Sequence, residues 1–155
     1  MRRGLLEELK QARPFKCLEE EVFLNIARTS ALLEHAFAQS LKPYGITSTQ
    51  YNVLRILRGA GAEGLCRNEI GNRLVRPVPD VTRLLDRLEE MHLVSRERTG
   101  ADRRYVTTRI ARQGLDLLAQ LDDEIAGMHQ RELGHVDRRS LRALIETLTA
   151  IRRPD

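Results

Sequence analysis

The sequence predicts a mainly α-helical chain interrupted by one small β-hairpin, and three observations carry the prediction. Apolar residues recur at helical spacing over most of the 155 residues. Across residues 93–109 that period gives way to two short β-compatible runs joined by Thr99-Gly100-Ala101-Asp102, which has turn residues at its centre. Directly before the first run stand two short helical segments with a proline-containing turn between them.

From the N-terminus, residues 1–14 read as a short extension with a helical turn around Leu5, Leu6 and Leu9. Leu18, Val22, Ile26, Leu33, Phe37 and Leu41 mark a long helix over 18–41, ended by Pro43 and Gly45. Thr47 or Ser48 caps the next helix, which carries Tyr51, Leu54 and Leu57 and stops in the loop 59–61. Residues 67–74 form a short helix with Ile70 and Leu74 on one side and Asn68, Asn72 and Arg73 on the other. After the turn 75–78 a second helix opens on Pro79, a residue suited to the first helical position because its missing N–H would have no partner there. Its stripe of Val81, Leu84, Leu85 and Leu88 buries one face, and Asp80, Arg83, Arg87 and Glu90 share the wet one.

Two helices joined by a tight turn and followed by a hairpin make a winged helix-turn-helix. Such a motif offers DNA the N-terminal residues of its second helix, here Asp80, Thr82 and Arg83. In the wing segment 96–112, six arginines (Arg96, Arg98, Arg103, Arg104, Arg109, Arg112) stand against Glu97 and Asp102, so it carries the whole chain's net charge of +4. Positive charge concentrated on one edge is the footprint of phosphate binding.

Residues 45–118 resemble the MarR family of bacterial winged-helix transcription regulators. The resemblance rests on Gly-Ile-Thr-Ser-Thr-Gln-Tyr-Asn-Val-Leu at 45–54, Asp-Val-Thr-Arg-Leu-Leu-Asp-Arg-Leu-Glu at 80–89, Leu-Val-Ser-Arg at 93–96, Asp102-Arg103-Arg104 and Ala111-Arg112-Gln113-Gly114. It implies that Arg104 enters the minor groove and that Asp102 orients it, a task suited to arginine's planar, weakly hydrated fork. The chain departs from the family pattern at Pro77-Val78-Pro79-Asp80, where a polar cap is usual. Asp80 is left with two readings, acceptor from a cytosine amino group or helix-dipole residue. Arg98, Arg103 and the helix-turn-helix arginines Arg76 and Arg87 are expected at phosphates, with Arg87 open to an ion pair with Glu90.

Beyond the wing, Leu115, Leu118, Leu121, Ile125 and Met128 mark a long helix, and Leu141, Leu144, Ile145, Leu148 and Ile151 a final one starting near Asp137. The terminal helices are apolar over more surface than a small winged domain covers, and the resemblance implies that they join two copies. The expected organisation is therefore one structural domain in three parts: extension and dimerisation helix (1–46), DNA-binding winged region (47–110) and C-terminal dimerisation helices (111–155). Two-fold symmetry places two recognition helices one DNA turn, ~34 Å, apart on a near-palindromic site.

Composition narrows the remaining possibilities. With 41% hydrophobic and 31% charged residues, the chain is long enough for one core and too short for two comfortable ones. No apolar run approaches the ~20 residues of a membrane span and no secretory leader is visible, so a soluble cytoplasmic protein is expected. Only three of the 26 basic residues are lysines, which suits phosphate recognition but is weighed more as the mark of a GC-rich genome. No Gly-rich phosphate loop, nucleophile motif or metal-type His/Cys spacing is present, so neither catalysis nor a cofactor is expected.

The resemblance also suggests an effector. Relatives bind aromatic or phenolic anions between the long helices and the winged region, where Arg28, His35, Tyr44 and Tyr51 are expected to line a cleft. Other relatives sense peroxide through a cysteine near the start of the first long helix, where Cys17 stands, but Glu19, Glu20 and Glu21 oppose the thiolate that such chemistry needs. The reading is a homodimeric repressor of double-stranded DNA sites, modulated by a small molecule. The alternatives are a winged module docking an acidic protein, which would expose an apolar patch beside the wing, and a redox regulator acting through Cys17.

Overall fold

The computed structural model describes residues 4–98 and 106–153. The hairpin turn 99–102 and the wing residues Asp102, Arg103 and Arg104 lie outside them. A short α1 (Leu5–Glu8) is followed by α2 (Leu18–Leu41) and a 3₁₀ turn (Lys42–Tyr44) that Gly45 closes in the left-handed region at φ 70°. α3 (Ser48–Ala60) opens on a reciprocal cap: Thr47 Oγ1 accepts from the Gln50 N–H at 3.2 Å, and the Thr47 N–H donates to Gln50 Oε1 at 2.9 Å. This helix is the centre of the molecule, with Tyr51, Val53, Leu54 and Leu57 buried. It runs one residue beyond Gly59, which sits inside its last turn instead of in the expected loop.

The wing holds one strand more than expected. β1 (Leu65–Cys66) pairs with β3 (Val106–Ile110), which pairs with β2 (Val94–Arg98), giving an antiparallel sheet in the order β1-β3-β2. Leu65 faces Thr108 and Arg96 faces Thr108 from the other side. A two-residue strand carries no period for a sequence to display, so only the partner strand reveals it. Gly64, just before β1, holds φ 69°, and a Cβ placed there would lie 2.6 Å from the Thr108 carbonyl oxygen.

α4 (Arg67–Arg73) buries Ile70, and Leu74 behind it is buried too. α5 (Val81–Glu90) begins two residues later than the proline suggested. Asp80 is the reason: its backbone is non-helical (φ −137°, ψ 88°), and its Oδ1 accepts from the Arg83 N–H at 2.9 Å, as an N-cap does. Pro79 thus stiffens the approach to the helix and lies outside it. Leu85 and Leu88 are buried, Val81 and Leu84 pack beside them, and Asp80, Arg83, Arg87 and Glu90 are exposed.

α6 (Arg112–Leu133) returns along α2 and buries Leu118, Leu121, Ile125 and Met128, while α7 (Arg138–Arg152), capped by Asp137, buries nothing. Exposed apolar side chains collect on these helices: Leu18, Val22, Phe23, Ile26 and Leu32 on α2, Leu115 on α6, and Leu144, Ile145 and Ile151 on α7. Phe23 is 70% exposed and Ile145 63%.

A bidentate pair ties the two layers together, Arg58 of α3 donating to both oxygens of Asp122 of α6 at 2.9 and 3.0 Å. The Arg58 hydrogen bond holds the Asp122 carboxyl below its ordinary value, against the smaller opposing effect of desolvation. A depressed carboxyl stabilises the fold above its unfolded pKa and ceases to do so as pH falls through its folded one. Asp122→Asn should therefore lower the urea midpoint at neutral pH, and the gap from wild type should begin to narrow once pH drops below 3.8 and close as pH falls through the lower folded-state value. A gap independent of pH would show that the carboxylate charge is not what holds the pair. The glycines give a second expectation. Gly64→Ala should cost about 1–3 kcal/mol from backbone strain, whereas Gly59→Ala, helical and open on all sides, should stabilise by up to about 1 kcal/mol. Equal urea midpoints for the two variants would contradict this account of the wing's anchor.

Candidate nucleic-acid interface

The outward face of α5 is set by what its inward face buries. With Leu85 and Leu88 in the core, Thr82, Arg83 and Arg87 are exposed, and β2 lies alongside with exposed Arg98 at its end. Asp80 is at the same end of α5 but its Oδ1 is engaged in capping, which favours the helix-terminal reading over base recognition. Thr82 accepts from Arg67 Nη1 at 3.2 Å, so a residue of the first helix steadies one of the second. Arg67 escaped the sequence reading because this partnership spans the turn and follows no local period. Arg87 meets Glu90 at 3.9 Å, an exposed i,i+3 pair of the kind that contributes little.

The wing's formal charge overstates its field. Of the four described arginines between 96 and 112, three are in ion pairs: Arg96 with Asp86 and Glu89, both at 2.6 Å, Arg109 with Glu97 at 2.9 Å, and Arg112 with Asp116 at 3.0 Å. Asp86 and Glu89 come from α5, so their approach is a matter of tertiary packing, whereas Asp116 lies one turn beyond Arg112 on α6, just outside the segment's charge count. Arg109 also donates through Nε to the Ala62 carbonyl at 2.7 Å, fastening β3 to the loop before β1. Among the described residues no ion pair is made by Arg83 or Arg98, which puts them among the exposed cations of the interface.

Arg76 points elsewhere. It lies 3.7 Å from Glu34 of α2 and helps line a cleft of about 340 Å³ between α2, α3 and the turn before α5. Tyr51 is at the base of that cleft, only 5% exposed, with Phe37 edge-on at 5.3 Å between ring centroids. Arg55 donates to the Tyr51 hydroxyl at 3.1 Å, and its guanidinium carbon stands 5.8 Å from the ring centroid. Asn52 Oδ1 accepts from the Val75 N–H at 2.9 Å, joining α3 to the turn.

The four residues expected to share an effector cleft do not meet within one chain. Tyr51 lines this cleft, Tyr44 lines a separate one between α2 and α6 with Ser40, Glu124 and Met128, and Arg28 and His35 are exposed on α2 and line neither. The resemblance put Arg28 and His35 at the cleft, but both lie on the exposed side of α2. Arg55 and Phe37 are the residues that reasoning missed; the i,i+4 spacing of Tyr51 and Arg55 was a signal for the first of them.

Cys17 is exposed at the N-cap of α2, and hydrogen bonds from the Glu19 backbone and, secondarily, from the Cys17 thiol hold the Glu19 carboxyl below its ordinary value. Among the described residues no three His, Cys, Asp or Glu side chains are grouped to hold a metal, and no helix is long and apolar enough to cross a membrane.

Known proteins share this architecture. The sequence profile of the MarR family matches residues 44–104. A MarR transcription factor from Planctomyces limnophilus is 34% identical, the match covering 88% of this chain and 98% of that one at a TM-score of 0.69. MepR of S. aureus, solved as a DNA complex, is 23% identical over 83% of this chain and 93% of its own, with a TM-score of 0.75. CouR of Rhodococcus jostii RHA1, solved with p-coumaroyl-CoA, is 23% identical over 91% and 98%, with a TM-score of 0.74. A polar recognition helix beside a three-stranded wing, and a relative of this identity matched along nearly its whole length, lead to one conclusion: the chain belongs to the MarR family of DNA-binding winged-helix transcription regulators.

Proposed function

We propose that two copies of the chain bind a pseudo-palindromic duplex in the cytoplasm and repress transcription by occupying it, with a small aromatic anion releasing them. The observation that carries the dimer is the apolar surface left on α2, α6 and α7, since α7 buries none of its side chains within a single chain. Burying a large apolar side chain is worth about 1.5–3 kcal/mol, so a second copy covering this set has a strong drive to bind. In the DNA reading, Thr82 and Arg83 contact bases, Arg98, Arg103 and Arg87 contact phosphates, and Arg104 enters the minor groove with Asp102 orienting it. Asp80 holds the start of the recognition helix, and Arg76 serves the cleft before it serves DNA.

A protein-docking wing is disfavoured by the distribution of apolar surface. Among the described residues nine of the twelve exposed large hydrophobics lie on α2, α6 and α7; the others are Leu9, Val75 in the turn before α5 and Val106 on the wing strands, each from a different segment. The effector reading rests on the cleft of Tyr51, Phe37 and Arg55, whose aromatic walls and two guanidiniums, offset by Glu34, suit a flat anion. Its mouth is the turn that leads into α5, so an occupant that parts Arg76 from Glu34 pushes on the recognition helix. CouR, seen with an aromatic acyl thioester, is a relative in which an aromatic ligand and this fold occur together.

Selection from a random double-stranded pool should enrich a two-fold-symmetric site, bound by a species that sediments as a dimer at micromolar concentration and loses affinity steeply with salt. Arg104→Ala should weaken that complex by about 1–3 kcal/mol; a loss no greater than that from Arg138→Ala on α7 would remove the groove role. A panel of hydroxybenzoates and hydroxycinnamates should contain a member that lowers operator affinity about fivefold or more, an effect abolished in Arg55→Ala. If no member acts, or if Arg55→Ala responds like wild type, the cleft is not the effector site.

A further inference from the structure

We propose that Arg96 is a positioning residue which locks the recognition helix to the wing, so that both elements reach one DNA site together; this rests on the DNA-binding reading above. Arg96 was counted at first among the wing's phosphate-seeking cations, and its geometry points the other way. It sits in the middle of β2, opposite Thr108, a residue buried to 1% exposure at the centre of the sheet. From there its guanidinium reaches α5. Nε and Nη2 both donate to Glu89 Oε2, at 2.9 and 2.6 Å, and Nη2 also meets Asp86 Oδ1 at 2.6 Å. The second Glu89 oxygen accepts from the Arg96 backbone N–H at 3.2 Å. One carboxylate therefore holds the strand's backbone and its side chain together, and the planar fork fixes direction as well as distance. The side chain is 23% exposed, and its hydrogen bonds to Glu89 and then to Asp86 push its pKa above the usual value despite desolvation.

The placement of the two acids gives the arrangement its meaning. Thr82, Asp86 and Glu89 are spaced four and three apart along α5, so they share the side of the helix that faces the wing. A cleft of about 380 Å³ separates the two elements there, lined by Thr82, Leu85, Arg96, Val106, Thr108 and Arg67. Buried leucines anchor α5 on its inner side, and across the cleft the Arg96 cluster bridges α5 and the sheet. Two carboxylates beside a DNA-binding face repel phosphate, and a site selected for affinity alone would lack them. Their presence is explained if α5 needs a handle that the wing can grip.

This view and a phosphate-contact role predict opposite signs. Asp86→Asn with Glu89→Gln removes two negative charges from the DNA side, so a simple field argument, or one in which Arg96 is freed to bind phosphate, expects tighter operator binding. The positioning role expects operator affinity to fall about tenfold or more, the scale of losing one base contact, while affinity for non-operator DNA stays level or rises. Arg96→Met should lose the same operator discrimination with its non-operator affinity and dimer unchanged, and Arg96→Lys should recover part of it. The measurement is competition between the selected operator and random duplex at matched salt, with thermal melting of each variant. Tighter or unchanged operator binding by the Asp86/Glu89 double variant overturns the proposal, as does an Arg96→Met protein that discriminates like wild type. Should Arg96→Met fail to fold, the double variant alone decides. A wild-type chain that enriches no duplex would defeat the DNA reading itself, an outcome distinct from wild-type binding with indifferent variants.

Discussion

The burial of Leu85 and Leu88 against the core beneath α4 is the interaction from which the rest of the interface follows. A helix with two fully enclosed leucines three residues apart has lost its freedom to rotate, since a turn of even one residue would carry a leucine into water and a carboxylate or arginine into the core. Once that rotation is set, Arg83 faces out, Thr82, Asp86 and Glu89 lie on the side toward the wing, and Glu90 trails on the surface. Ile70 of α4, also fully buried, supplies a neighbouring wall of the same core. The cap at Asp80 then fixes where the helix begins, and hence which residues its exposed N-terminal turn presents.

Charge in this molecule divides into pairs that shape it and cations that remain for a ligand. Arg58 with Asp122, Arg96 with Glu89 and Asp86, and Arg109 with Glu97 each bridge separate elements, and their partners are within hydrogen-bond distance. Exposed pairs of this kind add little stability one by one. Their value is directional: a guanidinium fork accepts a carboxylate in few orientations, so each pair selects an arrangement that the apolar core alone permits but does not single out. The electrostatic edge offered to phosphate is accordingly narrower than the arginine count of the wing, and Arg83 and Arg98 carry more of it than their number suggests.

Local chemistry was the part of the structure legible in the chain. The bounds of α2 coincide with the apolar period and its Pro43-Gly45 stop, the caps at Thr47 and Asp137 lie where hydroxyl and carboxylate residues precede apolar stripes, and Ile70 and Leu74 face inward as their spacing requires. What escaped was non-local or overruled by a competing residue. β1 is two residues long and exists through its ladder with β3; Pro79 looked like a helix start until Asp80, one residue later, took the cap. The cleft at Tyr51 needs α2, α3 and the turn before α5 to meet; the apolar stripe of α2 includes Phe37 and leaves out His35, but does not by itself show that Phe37 meets Tyr51. Arg96 shows the same limit in electrostatic form: its residue type announced a cation, but only the packing of α5 on β2 reveals that two carboxylates already hold it.

The path from cleft to interface is short because the same few segments build both. Val75 and Arg76 form one wall of the cleft and lead through Pro77, Val78 and Pro79 into the capped start of α5, two prolines leaving that connector little slack in which to absorb a displacement. Its cleft end is held lightly, by the Asn52 hydrogen bond to Val75 and a 3.7 Å pair between Arg76 and Glu34, whereas its far end runs into a helix fastened by buried leucines and by Arg96. A push at the weak end of a stiff connector is passed along it, because bending the connector costs more than moving the element it pulls. The wing is tied to that element through Arg96, so a displaced recognition helix takes the wing's alignment with it. On the proposed effector reading, regulation would require no long-range pathway, only a ligand large enough to occupy the space between Tyr51 and Arg76.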